Sequence, residues 1–158
     1  FVVLGGMRQS RLYYVPRPLA EIINSAKSKL SIMHAGLFVG FYRRGLFIPS
    51  TELFNVARMK GLRFGCAVVA KQQGVKAFLY GNDLLVASVE RFLEPVEKGM
   101  VVAVSDSEDM FVVGVGILVL SVDEFLKAVS QGRMLEVAVK NIKDLGLLLR
   151  SEESYWEL

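Results

Sequence analysis

The stretch from Lys76 to Phe92 limits the possible folds more than any other, because it must be helical and then extended with almost no chain between. Ala77, Phe78 and Leu79 continue a helical turn that begins near Gln72, and Leu84, Val86 and Ser88 then alternate with Leu85, Ala87 and Val89 at the period of a pleated strand. The joint is Gly81-Asn82. Both residue types tolerate positive φ, which a helix end needs when the chain turns at once into a sheet. An α+β class follows.

From Leu62 onward the pattern is mostly strand. Leu62 to Ala70, Met100 to Val104, Met110 to Leu120 and Met134 to Val139 read as extended, with turn signals at Glu94-Pro95 through Gly99 and at Ser105 to Asp109. Ser121 and Glu124 have the spacing of a capping box, so a helix through Phe125, Leu126 and Val129 is expected to end at Gly132, and Asp144 to Arg150 reads as a short closing helix. Several strands with two or three short helices fit a small barrel-like domain over residues 62–158.

Residues 1–61 have a different rhythm. Phe1 to Leu4 and Leu12 to Val15 are β-rich runs about a loose loop, Leu19, Ile22, Ile23 and Ala26 recur at helical spacing, and Ser31 to Phe41 turns through Arg43-Arg44-Gly45 into Leu46-Phe-Ile48. Pro49-Ser-Thr-Glu52 supplies a helix start with a capping hydroxyl, and Gly61 is a credible stop. An N-terminal α/β domain with an antiparallel sheet is expected, bordered near Gly61.

Charge is divided unevenly between the halves. Residues 1–61 carry nine Lys and Arg against two acids, a net of +7, whereas residues 62–158 carry ten basic and fourteen acidic side chains, a net of −4. A basic half joined to an acidic half points to one face meeting phosphate or another anionic surface. With 53% hydrophobic residues the chain is no disordered polyampholyte, and its longest apolar run, Met110 to Val122, is too short and too rich in glycine and β-branched residues to span a bilayer as a helix. Cys66 is the single cysteine, which removes a disulfide framework and favours a reducing compartment.

Three groups of strings carry a family resemblance in their order along the chain: first the pair Arg11-Leu-Tyr-Tyr-Val15 and Ala35-Gly-Leu-Phe-Val-Gly40, second Phe78-Leu-Tyr-Gly-Asn82, and third Lys140-Asn-Ile-Lys-Asp-Leu-Gly146. The second and third, with the strand before them, resemble a PUA domain, a small barrel-like RNA-binding module. The ordered set resembles the Nip-seven family of large-subunit ribosome biogenesis factors, whose members join an α/β domain to a C-terminal PUA domain. That family usually begins with a helix of some tens of residues, which the present sequence is expected to lack.

The resemblance implies a non-enzymatic factor that binds single-stranded or flexible pre-rRNA among ribosome assembly proteins, without a cofactor, metal, membrane or small-molecule substrate. An archaeal-like cytoplasm is the expected setting, or a nucleolus in a eukaryote. Lys140 and Lys143 match the family's basic positions on the exit from the last strand, although Glu136 and Val137 stand where archaeal relatives tend to carry two more. Arg133, three residues away, and Lys76 join them as expected RNA-binding residues, and the +7 charge of the first domain, apart from the resemblance, adds Arg43 and Arg44. An accessory protein of tRNA modification and a protein–protein scaffold in pre-ribosomes are the rival readings.

Other chemistry finds little footing in the sequence. His34 is the lone histidine and has no neighbouring cysteine or paired acid, so a structural role is expected, as it is for Cys66 as a small core residue. Gly114-Val-Gly116 lacks the third glycine and following helix of a dinucleotide loop and reads as close strand packing. The acids between Ser105 and Asp109 lack calcium-loop spacing and read as a solvated turn.

Overall fold

The computed structural model describes residues 2–6, 9–26, 28–32, 34–43 and 45–150. The chain separates into two compact units, residues 1–53 and 54–158. The division falls inside the helix Thr51–Met59. The reason is visible at Asn55, whose side-chain amide donates to the Val112 carbonyl at 2.9 Å while its oxygen accepts from the Val112 N–H at 2.9 Å. That pair of bonds ties the C-terminal part of the helix to the second unit.

The first unit is a four-stranded antiparallel sheet in simple sequence order, β1 (Val2–Gly6), β2 (Gln9–Tyr14), β3 (Leu37–Arg43) and β4 (Leu46–Pro49). Helix α1 (Arg17–Ala26) contributes Ile23 to a core with Tyr13, Val15 and Ala35, against which Ala20, Ile32 and Phe38 pack. Arg8, Lys27 and Arg44 lie outside the described residues. His34 accepts or donates at Nδ1 to the Tyr13 hydroxyl at 3.0 Å, the structural use expected of it. Helix α2 (Thr51–Met59) begins with Ser50, whose Oγ accepts from the Leu53 N–H at 3.0 Å and donates to the Phe38 carbonyl at 2.6 Å.

The second unit is a six-stranded sheet ordered β6-β10-β9-β8-β5-β7. Its strands are β5 (Ala67–Ala70), β6 (Leu84–Leu85), β7 (Val89–Leu93), β8 (Val101–Asp106), β9 (Val112–Leu118) and β10 (Val137–Asp144). Consecutive strands β6 and β7 occupy opposite edges, yet only the 3₁₀ turn Val86–Ser88 joins them. Three residues reach on the order of 10 Å, so the sheet has to curl until its edges nearly meet. The interior so formed holds Phe78 of α3 (Gln72–Leu79), Ala128 of α4 (Val122–Ser130), and Val68, Val102, Leu118 and Val139, with Phe125 and Phe92 in an edge-to-face pair 5.0 Å apart. A last short helix, α5, spans Leu147–Arg150.

Several boundaries differ from the sequence reading. Residues 62–65 join no ladder and Cys66 turns to φ 53°, so pairing begins only at Ala67; Cys66 is half-buried before β5, not a core residue. The single strand expected from Leu84 to Val89 is broken by the 3₁₀ turn, which brings Val89 into the same core as Leu84 and Val86, a burial that strict two-residue alternation does not give. Strand β8 runs on to Asp106, so the acidic turn begins later; there the Asp106 carboxylate accepts from the N–H groups of Glu108 and Asp109. Strand β10 starts and ends later than expected, and Asp144 closes that strand instead of opening a helix.

Candidate nucleic-acid interface

The Gly81 joint forms as the sequence requires. Gly81 has φ 87°, its N–H bonds to the Phe78 carbonyl at 2.9 Å and the Asn82 N–H reaches back to Ala77 at 3.1 Å, the paired closure of a Schellman motif. Glycine suits the site because a side chain at that φ is strained. Asn82 and Asp83 are then delivered to the edge of β10.

There the second and third motif strings meet. The Asn141 amide nitrogen donates to the Phe78 carbonyl at 2.9 Å, to the Asn82 carbonyl at 3.3 Å and to Asp144 Oδ2 at 3.2 Å, while the Asn141 backbone N–H donates to Asp83 Oδ1 at 2.8 Å. Asp144, only 4% exposed, accepts both guanidinium nitrogens of Arg150 at 3.0 and 2.9 Å, and Arg150 also donates to the Leu79 carbonyl. A buried carboxylate needs such a two-pronged partner to offset its lost hydration. These residues fasten the helix-to-strand joint. Sequence reasoning passed over Asn141, Asp144 and Arg150 as site-forming groups, although an Asn and an Asp inside a β-rich run were the available signal.

Lys140 and Lys143 lie within β10, not on its exit. In a regular strand two residues three apart face opposite sides. Here Lys140 pairs with Ile117 and Lys143 with Val115, because a bulge between Asn141 and Lys143 leaves Ile142 as an extra residue. Ile117 and Val115 are two apart on β9, so both lysines stand on one face. That face is the outer one, since the neighbouring pair Val139 and Leu118 points into the core. Lys140 is exposed and Lys143 half-buried.

The other expected positions lie on other elements. Lys76 is exposed on α3, the helix that covers the inner face of the sheet. Arg133, in the turn after α4, donates to Glu136 at 2.5 Å and to Gln131 at 2.9 Å, so its charge is locally answered by the acid that stands where a basic residue was looked for. Arg43 is exposed at the end of β3 in the first unit. Gly114 and Gly116 are packing positions: a Cβ on Gly114 would meet Phe78 Cε1 at 2.6 Å, and one on Gly116 the Lys140 carbonyl oxygen at 2.5 Å. Among the described residues no group of three or more His, Cys, Asp or Glu is placed to hold a metal ion, and no helix is long and apolar enough to cross a membrane.

A curled mixed sheet with one helix between β5 and β6 and another before its last strand is a PUA-type architecture. The chain belongs to the UPF0113 PUA domain family, which its sequence matches over residues 66–153. Solved structures share the fold at low identity. A hypothetical protein of the hyperthermophilic archaeon Pyrococcus horikoshii OT3 superposes with a TM-score of 0.59 at 19% identity over 73% of this chain, which spans 65% of that protein's length. A conserved PUA domain protein from Thermoplasma acidophilum gives 0.52 at 18% identity over 85% of this chain and 93% of its own. A PUA domain from Aeropyrum pernix K1 gives 0.55 at 14% identity over 88% of each chain. No curated protein matches significantly.

Proposed function

We propose that this protein is an RNA-binding, non-enzymatic factor of ribosome assembly, of the Nip-seven type, acting on large-subunit pre-rRNA in the cytoplasm together with assembly proteins. The observation that carries the reading is the β10 bulge, which turns Lys140 and Lys143 to one outer face of a PUA-family domain. Two ammonium groups on one face can follow successive phosphates, and at physiological ionic strength charges within about 8 Å matter more than the acids elsewhere on the unit. The basic first unit adds long-range attraction.

The test is affinity for a single-stranded pre-rRNA fragment across a tenfold range of salt. With about four phosphate contacts, log K falls against log salt with a slope of roughly −2.8. Lys140→Ala with Lys143→Ala lowers that slope by about 1.4 without a change in melting, and Arg43→Ala with Arg44→Ala lowers it less. Affinity flat in salt overturns the reading. Co-sedimentation with large-subunit precursors, lost in the lysine pair, separates an assembly factor from an accessory of tRNA modification.

A further inference from the structure

Among the described residues, the sheet of the first unit has one face packed in a core with α1 and another that carries exposed aromatic rings. Tyr13, Phe38, Phe41 and Ile48 lie on the packed side: Tyr13 pairs with Phe38 and Phe41 with Ile48 across the strands, and the first pair sits in the core with Ile23 of α1. Their sequence neighbours point the other way. Tyr14 of β2 is 56% exposed and Tyr42 of β3 is 48% exposed, while Phe47 of β4, cross-strand from Tyr42, makes a ring contact with it at 5.0 Å. A Cβ on Gly40 would come within 2.8 Å of the Phe47 ring, so the ring lies across a floor that only glycine leaves clear.

Three aromatic rings on the open face of an antiparallel sheet are costly to leave in water. The choice of tyrosine over aliphatic residues suits a surface that is wet when empty and flat when filled. Tyr42 is level with Ser10 on β2, four residues from Tyr14, so the two tyrosines are set about 13 Å apart along the strands. Arg43 follows Tyr42 directly and is exposed, with Arg44 next in the sequence. The unit carries seven Lys and Arg against two acids, a net of +5 over residues 1–53.

From these features we infer that the open sheet face of the first unit is a stacking platform for single-stranded RNA, with bases on Tyr14 and Tyr42 and phosphates drawn to the Arg43 end. A π-face accepts any base, so the platform supplies affinity without sequence preference, while the positive unit favours a polyanion over an acidic-poor apolar partner. The inference rests on the RNA-binding reading above and adds to it a second surface of different chemistry.

The two surfaces are separable by experiment. Fluorescein-labelled decauridine and an abasic ribose-phosphate decamer of equal length are titrated with the full chain by anisotropy. The wild type binds decauridine the more tightly; Tyr42→Leu and Tyr14→Leu each weaken it by about tenfold and erase the advantage over the abasic strand, with the salt slope unchanged. Tyr42→Phe retains binding. Lys140→Ala does the reverse, lowering the slope while keeping the advantage of bases. Leucine variants that melt like the wild type and bind decauridine equally well overturn the platform and leave the RNA reading standing, whereas a wild type that binds neither strand overturns both. Should Tyr14→Leu fail to fold, crosslinking of 4-thiouridine RNA decides: adducts at residues 37–49 are expected, and their confinement to residues 54–150 overturns the platform. Concentration-dependent self-association that Tyr42→Leu abolishes also overturns it, by assigning the face to a second copy.

Discussion

The side-chain amide of Asn141 on β10 donates to the main-chain carbonyl of Phe78, the buried aromatic residue of α3, across 63 positions of sequence. One polar side chain therefore fixes the end of a helix to the strand that carries Lys140. Its other bonds, to Asn82 and Asp144, and the Asp83 bond to its backbone complete the fastening.

Asn141→Leu should accordingly lower stability by about 1–3 kcal/mol, the penalty of leaving partly buried acceptors without a donor. Urea unfolding followed by circular dichroism checks this through a lower midpoint at unchanged slope. A shift smaller than a few tenths of a kcal/mol removes Asn141 from the role given to it here.

Gly81→Val should cost about 1 kcal/mol or more, because the left-handed φ of 87° is unfavourable for a β-branched residue. Crowding adds to the strain, as the nearest neighbour of a Cβ there is the Arg150 guanidinium at 3.1 Å, which Asp144 and the Leu79 carbonyl hold in place. Asn82→Gly should be mild. Equal melting temperatures for Gly81→Val and the wild type would remove the strain argument.

Gly114→Ala tests packing instead of strain. Its methyl group would meet Phe78 Cε1 at 2.6 Å and the Lys143 carbonyl oxygen at 2.7 Å, so overpacking should cost about 1–3 kcal/mol. Pairing it with Phe78→Leu should recover part of that loss, and a double-mutant cycle reads the coupling.

Two surface carboxylates contribute to acid stability. Lys98 donates to Glu124 and the Ser121 N–H adds a second bond, holding this carboxyl below the ordinary glutamate value; the Phe111 N–H does the same for Asp109, helped by Asp106. Both folded values lie below the unfolded ones, so the carboxylates contribute stability in full above the unfolded pKa of about 4 and lose it as pH falls through the folded pKa. Melting temperature should be level above roughly pH 5 and decline below roughly pH 4, with a shallower decline in Glu124→Gln. A profile identical in that variant would show that the capping box contributes nothing to the acid limb.

Local signals made helix ends legible and hid long-range ones. The capping box at Ser121 and Glu124, the Ser50 cap and the glycine closures at Gly61, Gly81 and Gly132 each depend on residues within one turn, and all are found where the sequence puts them. Strand limits depend on partners far along the chain, so β10 shifted to Val137–Asp144 and β5 shrank to Ala67–Ala70. The bulge that turns Lys143 to the side of Lys140 is a property of the β9–β10 pair, and no inspection of β10 alone reveals it. Arg150 was out of reach for the same reason, since its partners Leu79 and Asp144 are brought to it by the fold.

The three-residue turn Val86–Ser88 has a further consequence for how the molecule behaves in company. A six-stranded sheet ordinarily ends in two edges whose unpaired N–H and C=O groups invite another chain to add a strand. Here one edge is the two-residue β6 and the other the five-residue β7, and the turn holds the two ends of the ladder close to one another. Little straight edge is left on which a further strand could be added.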